Sequence, residues 1–179
     1  MFDVTHYTDF LRKEETRSLF DTLYNSTDYD DPELTAITIY GKKTAIPRRQ
    51  MSFGEKVYSF VGTHVEPKPI PDYLKPLLER VNDTCNTSFN HILVNLYRDG
   101  NDYIGYHRDK HIDETPIASI SLGATRDFIF TNGTETKEFI LTDGTLLIIH
   151  PPTNVYWKHS LPKRMKVKEP RINITFRVV

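Results

Sequence analysis

The spacing of apolar residues divides the chain into a helical first half and an extended second half. From His91 onward, apolar residues recur at every second position in short runs that Asp-Gly, Asn-Gly and proline signals separate. No helical pattern lies between these runs. They predict a β-barrel or double-sheet jelly roll. The runs are HILVNLYR, IASISLG, RDFIFTN, KEFILT, TLLIIHP and RINITFRVV.

Two helices are predicted before these strands. The first 26 residues have an approximate helical spacing of apolar positions from about Lys13 onward. A second helix is predicted from Pro71 to about Thr84, with apolar residues at i, i+3, i+4 and i+7 from Leu74. Between them, ITIYGKK begins a strand that breaks at Gly41. The expected fold class is therefore mainly β with flanking helices (α+β), the two N-terminal helices packing outside the sheets.

Length and composition narrow the class of protein. The 179 residues fit a single domain, 1–179. The net charge of −1 gives no global basic field, so a nucleic-acid partner would have to be bound by local basic patches on the surface. The single cysteine, Cys85, cannot form an internal disulfide, and no apolar run is long enough for a membrane span. We expect a soluble intracellular monomer, in the nucleus or the cytoplasm.

The candidate chemistry begins with His107 and Asp109. On an extended strand, residues two apart put their side chains on one face, with Arg108 on the other. His159, in WKHSLP, would complete a set of two imidazoles and one carboxylate. That set is the facial triad that binds non-haem Fe(II) and leaves coordination positions open. A lone His-x-Asp pair is more often a surface pair, so the prediction depends on its context.

The final predicted strand has one apolar and one polar face. A polar face is usually solvent-exposed, yet in a small barrel it can line the lumen. Asn95 and Tyr97 also share a face of their strand. The two arginines of the last strand lie about 20 Å apart, at roughly 3.3 Å per residue, so they would engage opposite ends of a small dianion such as a dicarboxylate. The polar face consists of Arg171, Asn173, Thr175 and Arg177.

These motifs resemble those of AlkB-type Fe(II)- and 2-oxoglutarate-dependent dioxygenases, most closely the repair demethylases that act on duplex DNA. The resemblance runs from about residue 37 to the C-terminus. It implies a double-stranded β-helix, with helices and a nucleotide-recognition region in 1–90 and a jelly-roll catalytic core in 91–179. The motifs are YGKKTAIPRRQMSFG, VYSFVG, NLYRDGNDYIGYHRD, PIASISLGATRDFIF, HPPTNVYWKHSLP and PRINITFR.

The resemblance also implies the cofactors and the reaction. Iron would be held by His107, Asp109 and His159. With 2-oxoglutarate and O2, the enzyme would oxidise a methyl group on a nitrogen of 1-methyladenine or 3-methylcytosine in DNA. Formaldehyde, succinate and CO2 would leave, and the base would be restored. The implied 2-oxoglutarate-binding residues are Asn95, Tyr97, Arg171, Asn173, Thr175 and Arg177.

A methylated base inside a duplex must be turned out of the stack before it can react. By resemblance, Tyr58 and Phe60 would hold the flipped base, and Tyr40 would be a finger that fills the gap in the duplex. Two local basic patches would contact phosphates. The first, near the finger, consists of Lys42, Lys43, Arg48 and Arg49. The second includes the loop with Arg164 and Lys166.

Several departures from the repair demethylases leave the substrate open. His111 stands where relatives have an acidic residue, and Asp113 or Glu114 are candidates to replace it. Met165 interrupts the basic loop, and the loop TNGTETK is shorter and less basic than in duplex-acting relatives. One alternative is an oxygenase that acts on RNA or on a non-nucleic-acid substrate. Another is a nucleic-acid-binding module without catalysis, its site degenerate or filled by structural zinc.

Overall fold

The computed structural model describes residues 1–57, 66–109 and 114–179. The described strands are β1 Val4–Tyr7, β2 Ile37–Ile39, β3 Lys42–Thr44, β4 Arg49–Gly54, β5 His91–Tyr97, β6 Ile104–His107, β7 Ile117–Gly123, β8 Arg126–Thr131, β9 Thr136–Leu141, β10 Leu146–Ile149, β11 Lys158–Leu161 and β12 Arg171–Arg177. The helices are α1 Lys13–Tyr24, α2 Lys75–Cys85, which follows a 3₁₀ turn at Asp72–Leu74, and α3 Pro151–Tyr156.

Ten of these strands form two antiparallel sheets. The larger has the order β1-β10-β7-β12-β5-β4, and the smaller has the order β6-β11-β8-β9. Residues of both sheets line one shared cavity, so the sheets face each other. This arrangement confirms the predicted jelly roll. Both β1 and β4 belong to the larger sheet, which is therefore built from both sides of residue 90.

Each N-terminal helix begins with a local signal. The backbone N–H of Arg12, just before α1, donates to the Glu15 carboxylate at 2.9 Å. A proline occupies the first turn of α2, and Asn86 ends that helix in the left-handed conformation, with φ 47°. Apolar residues of both helices, including Leu23 and Val81, join the main core. The prediction that two helices pack outside the sheets is thus confirmed.

Alternation along β12 separates the apolar core from the cavity. Ile172, Ile174 and Phe176 are fully buried in the main core with the two helices. Burying an apolar side chain of this size contributes roughly 1.5–3 kcal/mol. The alternate residues point to the opposite face, towards the smaller sheet. The polar inner surface is thus fixed by the apolar packing of the outer one.

A second core holds the N-terminal strand against the smaller sheet. The ring of Phe2 makes edge contacts with Phe130 and Trp157, at centroid distances of 5.2 and 4.7 Å. Trp157 directly follows α3. This cluster therefore ties β1 to the segment between β10 and β11.

Five elements were not predicted from the sequence pattern: β1, β4, β6, β11 and α3. The expectation that no helix lies among the later strands is wrong, because α3 connects β10 to β11. That helix has six residues and begins with two prolines, so it shows no apolar periodicity. No helix in the described ranges is long and apolar enough to cross a membrane.

Candidate metal and co-substrate site

The pairing of two strands brings the predicted histidines together. His107 is the last residue of β6, and it lies opposite His159 of β11 in the smaller sheet. Their ring centroids are 4.3 Å apart. The Asp109 carboxylate oxygens lie 3.9 Å from Nε2 of His107 and 3.8 Å from Nε2 of His159. All three ligand atoms are within 4.8 Å of one another, so the cluster could hold a metal ion.

The cluster has the protonation state that a metal requires. Burial, reinforced by the neighbouring His107, lowers the pKa of His159 to about 3. Burial also lowers the pKa of His107. For Asp109, burial acts to raise the pKa, but the charge of Arg177, with a smaller effect of the two neighbouring histidines, outweighs it and holds the pKa below its ordinary value. At neutral pH both imidazoles are therefore neutral and the carboxylate is ionised, as metal ligation demands.

Hydrogen bonds fix the orientation of these side chains. Nδ1 of His107 lies 2.8 Å from the carbonyl oxygen of Gly105, which assigns its proton to Nδ1 and leaves the Nε2 lone pair for the cluster. Nη2 of Arg177 donates to Oδ1 of Asp109 at 2.8 Å. The amide of Asn154, in α3, hydrogen-bonds the backbone of Asp109.

A polar cavity extends from the cluster between the two sheets. Arg48 and Gln50 both donate to Oδ1 of Asn95, at 3.1 and 2.7 Å. These bonds fix the Asn95 amide with its NH2 group on the side away from the two donors. The cavity lining includes five of the six residues predicted to bind 2-oxoglutarate: Asn95, Tyr97, Asn173, Thr175 and Arg177.

Arg171, the sixth, is not part of this lining but stacks against Tyr97. Its guanidinium carbon lies 5.4 Å from the Tyr97 ring centroid, and Nη2 donates to Oγ of Ser121 at 2.9 Å. The side chain is 1% exposed, and burial lowers its pKa to about 10, so it stays charged at neutral pH. Nε and Nη1 have no hydrogen-bond partner among the described residues. A buried guanidinium with two such donors suits a ligand carboxylate.

The predicted finger is the tip of the β2–β3 hairpin. Tyr40 is fully exposed and has φ +49°, and the next residue, Gly41, has φ +75°. Two positive φ angles at a two-residue loop are typical of a type I′ turn, which favours Asn-Gly. A left-handed conformation costs a residue such as tyrosine roughly 1–2 kcal/mol. An exposed aromatic ring is thus held in an unfavourable backbone conformation.

A cleft lies between this hairpin and β6. Apolar and aromatic residues line it, among them Ile39 and Tyr106. It shares Arg48, Ile104 and His107 with the polar cavity, so it opens beside the metal cluster.

The other residues predicted to contact the substrate differ in their exposure and contacts. Arg48 is 6% exposed and lies in the cavity wall, not on the basic surface near the finger. Arg164 pairs with Asp127, whereas Lys166 is exposed. Tyr58 and Phe60 lie outside the described residues. His111 and Asp113 do as well.

Three contributors to the site have no sequence signal of their own. Gln50 reaches Asn95 because β4 pairs with β5, and no pattern predicted β4. Ser121 meets Arg171 through the pairing of β7 and β12. Asn154 lies in the short helix α3.

Known proteins are similar to this chain in sequence and in fold. Residues 3–177 match the family described as the 2OG-Fe(II) oxygenase superfamily. DNA oxidative demethylase ALKBH2 of Mus musculus is 38% identical, over 97% of this chain and 79% of that protein. Alpha-ketoglutarate-dependent dioxygenase alkB homolog 3 of Homo sapiens is 36% identical, over 74% of this chain and 52% of its own length. The solved structure of OsALKBH1 is 17% identical with a TM-score of 0.67, covering 99% of this chain and 98% of that one, and it supports the fold alone.

Proposed function

The chain belongs to the 2OG-Fe(II) oxygenase superfamily, and within it to the AlkB-type enzymes, and we propose that it demethylates N-alkylated bases in DNA. Its cofactors are Fe(II), 2-oxoglutarate and O2, as the family implies. The observation that carries the proposal is the cluster of His107, Asp109 and His159 at one end of a polar cavity.

The residues present fit an iron site of the open type. Two neutral imidazoles and one carboxylate are the ligand set of non-haem Fe(II) oxygenases. A structural zinc site normally has four protein ligands, often cysteines. The cluster in the described part of the chain has three ligands, and Cys85, at the end of α2, is not among them. The site therefore favours an enzyme over a binding module that holds structural zinc.

The residues also fit 2-oxoglutarate. The two open donors of Arg171 would take the carboxylate far from the metal, beside Tyr97. Arg177 lies at the metal end, where it holds Asp109. We assign Asn95, Asn173 and Thr175 to the wall between these two ends, because all three line the cavity. Buried charged hydrogen bonds of this kind select a dianion over neutral molecules.

The protein's own part in the reaction is to bind, orient and exclude water. When bound, iron, 2-oxoglutarate and O2 supply the oxidising power that hydroxylates the N-methyl group, which then leaves as formaldehyde. His107 lines both the cavity and the cleft, so we assign it to the wall between the co-substrate and an entering base. No protein nucleophile or general acid is required.

The proposed substrate is DNA carrying 1-methyladenine or 3-methylcytosine, in duplex or single-stranded form. The similarity to DNA oxidative demethylase ALKBH2 supports DNA, and the exposed Tyr40 at the hairpin tip supports the duplex. We assign Tyr58 and Phe60 to the flipped base, and Arg164 and Lys166 to phosphates. RNA remains the alternative nucleic acid. We further propose that the chain acts as one domain and as a monomer, in the nucleus or the cytoplasm.

A panel of methylated oligonucleotides tests the proposal. The protein is reconstituted with Fe(II) without oxygen, then given O2, 2-oxoglutarate and either duplex DNA, single-stranded DNA or RNA. Mass spectrometry should show a loss of about 14 Da per methyl group from both DNA forms. Asp109→Ala is the inactive control. If only RNA loses mass, the substrate is RNA and not DNA. If none of the oligonucleotides loses mass, the proposal is overturned.

A further inference from the structure

Asn154 makes two hydrogen bonds to the backbone of a single residue. Its Nδ2 donates to the carbonyl oxygen of Asp109 at 2.9 Å, and its Oδ1 accepts from the Asp109 N–H at 3.2 Å. Asn154 is 2% exposed, and Asp109 is 7% exposed. One buried amide thus satisfies both backbone groups of the candidate carboxylate ligand.

This clamp lies where strand pairing has ended. β6 stops at His107, so the pairing that fixes His107 does not extend to Asp109. Arg177 holds the carboxylate end of Asp109, and Asn154 holds its backbone end. With both ends fixed, the Asp109 side chain has little rotational freedom left.

The helix that carries Asn154 is itself well anchored. The preceding residue, Thr153, is fully buried, and its Oγ1 accepts from the N–H of Asp3 at 2.6 Å and donates to the carbonyl oxygen of Asp3 at 2.7 Å. The N–H of Trp157 donates to the carbonyl oxygen of Thr153 at 2.8 Å. The segment 151–161 therefore delivers His159 on β11 and also fixes Asp109 from α3.

We infer that Asn154 is a positioning residue that sets the metal affinity of the site by presetting Asp109. It acts through the backbone of Asp109 and does not itself ligate the metal. The inference rests on the proposed function only for the role of Asp109 as a ligand. Partners that orient metal ligands typically change metal affinity by about 10- to 100-fold when they are replaced.

Direct metal binding tests the inference. Mn(II), which needs no protection from oxygen, is titrated into metal-free protein with 2-oxoglutarate present, and free Mn(II) is followed by electron paramagnetic resonance. Asn154→Ala should weaken Mn(II) binding by about 10- to 100-fold. The matched control is Asn90→Ala. Asn90 makes the same pair of hydrogen bonds to the backbone of Val179, at 3.0 and 2.8 Å. Val179 is not one of the three candidate ligands, so the loss of this pair should leave Mn(II) affinity unchanged.

Asn154→Asp is the second variant, should the alanine variant fail to fold. It keeps the shape and one acceptor oxygen but loses the donor to Asp109. Its added negative charge would by itself favour a cation, so weaker Mn(II) binding in this variant must come from the broken clamp.

The outcomes separate the two claims. If Asn154 variants unfold at lower temperature but bind Mn(II) as wild type does, Asn154 is merely structural and the inference is overturned. Asp109→Ala should abolish binding. If it does not, the ligand assignment behind the proposed function fails, whatever Asn154 does.

Discussion

Arg171 is the single residue on which co-substrate binding should depend most directly. We expect Arg171→Lys to raise the half-saturating concentration of 2-oxoglutarate by about 10-fold or more, since a hydrogen bond to a charged group contributes roughly 1.5–3 kcal/mol. Lysine cannot reproduce the planar pair of donors. Succinate formation at varied 2-oxoglutarate measures the effect. Arg80→Lys, on the exposed surface of α2, is the control. An unchanged half-saturating concentration would remove Arg171 from the binding site.

His91 makes the stability of the fold depend on pH. It lies in β5, 1% exposed, with Nε2 2.8 Å from Oγ of Ser52. Burial, reinforced by the charge of Arg177, lowers its pKa to about 4. In the unfolded chain it takes up a proton below about pH 6.5, whereas in the folded protein it stays neutral until about pH 4.

The free energy of unfolding should therefore be fully retained above about pH 6.5 and fall as the pH drops towards 4. His91→Phe removes this group, so its unfolding free energy should fall less steeply across that window. Urea unfolding at a series of pH values gives the slope. The levels will differ because Ser52 loses its partner, so only slopes are compared. Equal slopes in both proteins would show that His91 does not cause the acid sensitivity.

At the residue level, simple spacing could predict the His107–Asp109 pair and the inner face of β12, whereas the addition of His159 depended on the resemblance to known motifs. His107 and Asp109 were placed on one strand, but β6 ends at His107 and Asp109 follows it. The Arg48–Asn95 bond could not be predicted, because it depends on a register between two strands.

At the scale of elements, we expect the β2–β3 hairpin to affect demethylation of duplex DNA without affecting the chemical step itself. Tyr40→Ala should slow the demethylation of duplex DNA far more than that of single-stranded DNA, because a wedge matters only where a stack must be held open. Tyr40→Asn is the sharper variant. Asn-Gly suits the type I′ turn, so it should stabilise the hairpin while still removing the ring. Initial rates on matched duplex and single-stranded oligonucleotides measure the difference. Equal slowing on both would mean that Tyr40 is no wedge.

Most of the later strands were predictable because they alternate apolar and polar residues over six or seven positions, as β5, β7 and β12 do. The four-residue β10 was predictable from its unbroken apolar run. The other short elements were not. β1, β6 and β11 have four residues each, and over four positions strand and helix periods are hard to distinguish. The missed elements include β6 and β11, which carry His107 and His159, so the resemblance to known motifs identified the site more fully than periodicity did.

For the whole molecule, metal and co-substrate should stabilise the fold. A ligand that binds only the native state at about 100 times its dissociation constant adds about 2.7 kcal/mol. At roughly 2–4 °C per kcal/mol for a chain of this size, Mn(II) with 2-oxoglutarate should raise Tm by roughly 5–10 °C. EDTA should reverse the shift, and Asp109→Ala should show none. Scanning calorimetry with and without Mn(II) makes the comparison. The same Tm in both conditions would contradict a shared site between the sheets.

The fold class followed from the sequence, but the order of strands did not. Pairing between β1 and β10, or between β4 and β5, joins segments far apart in the chain and leaves no local pattern. The β4–β5 pairing brings Gln50 to the wall of the cavity. The polar lining that β5 and β12 contribute was therefore foreseeable, while the contribution of β4 and the shape of the cavity were not.

The place of β12 in the sheet has a consequence for synthesis. It follows every other described strand in the chain, yet it lies between β7 and β5. Thr5 likewise hydrogen-bonds His150, which lies 145 residues later in the chain. Synthesis of the residues between them takes on the order of ten seconds on the ribosome. Until β12 emerges, the larger sheet exists as two separate pieces with open edges that chaperones can recognise. A chain cut short before β12 should therefore lack both a closed sheet and a co-substrate site, so that unfinished copies are inert.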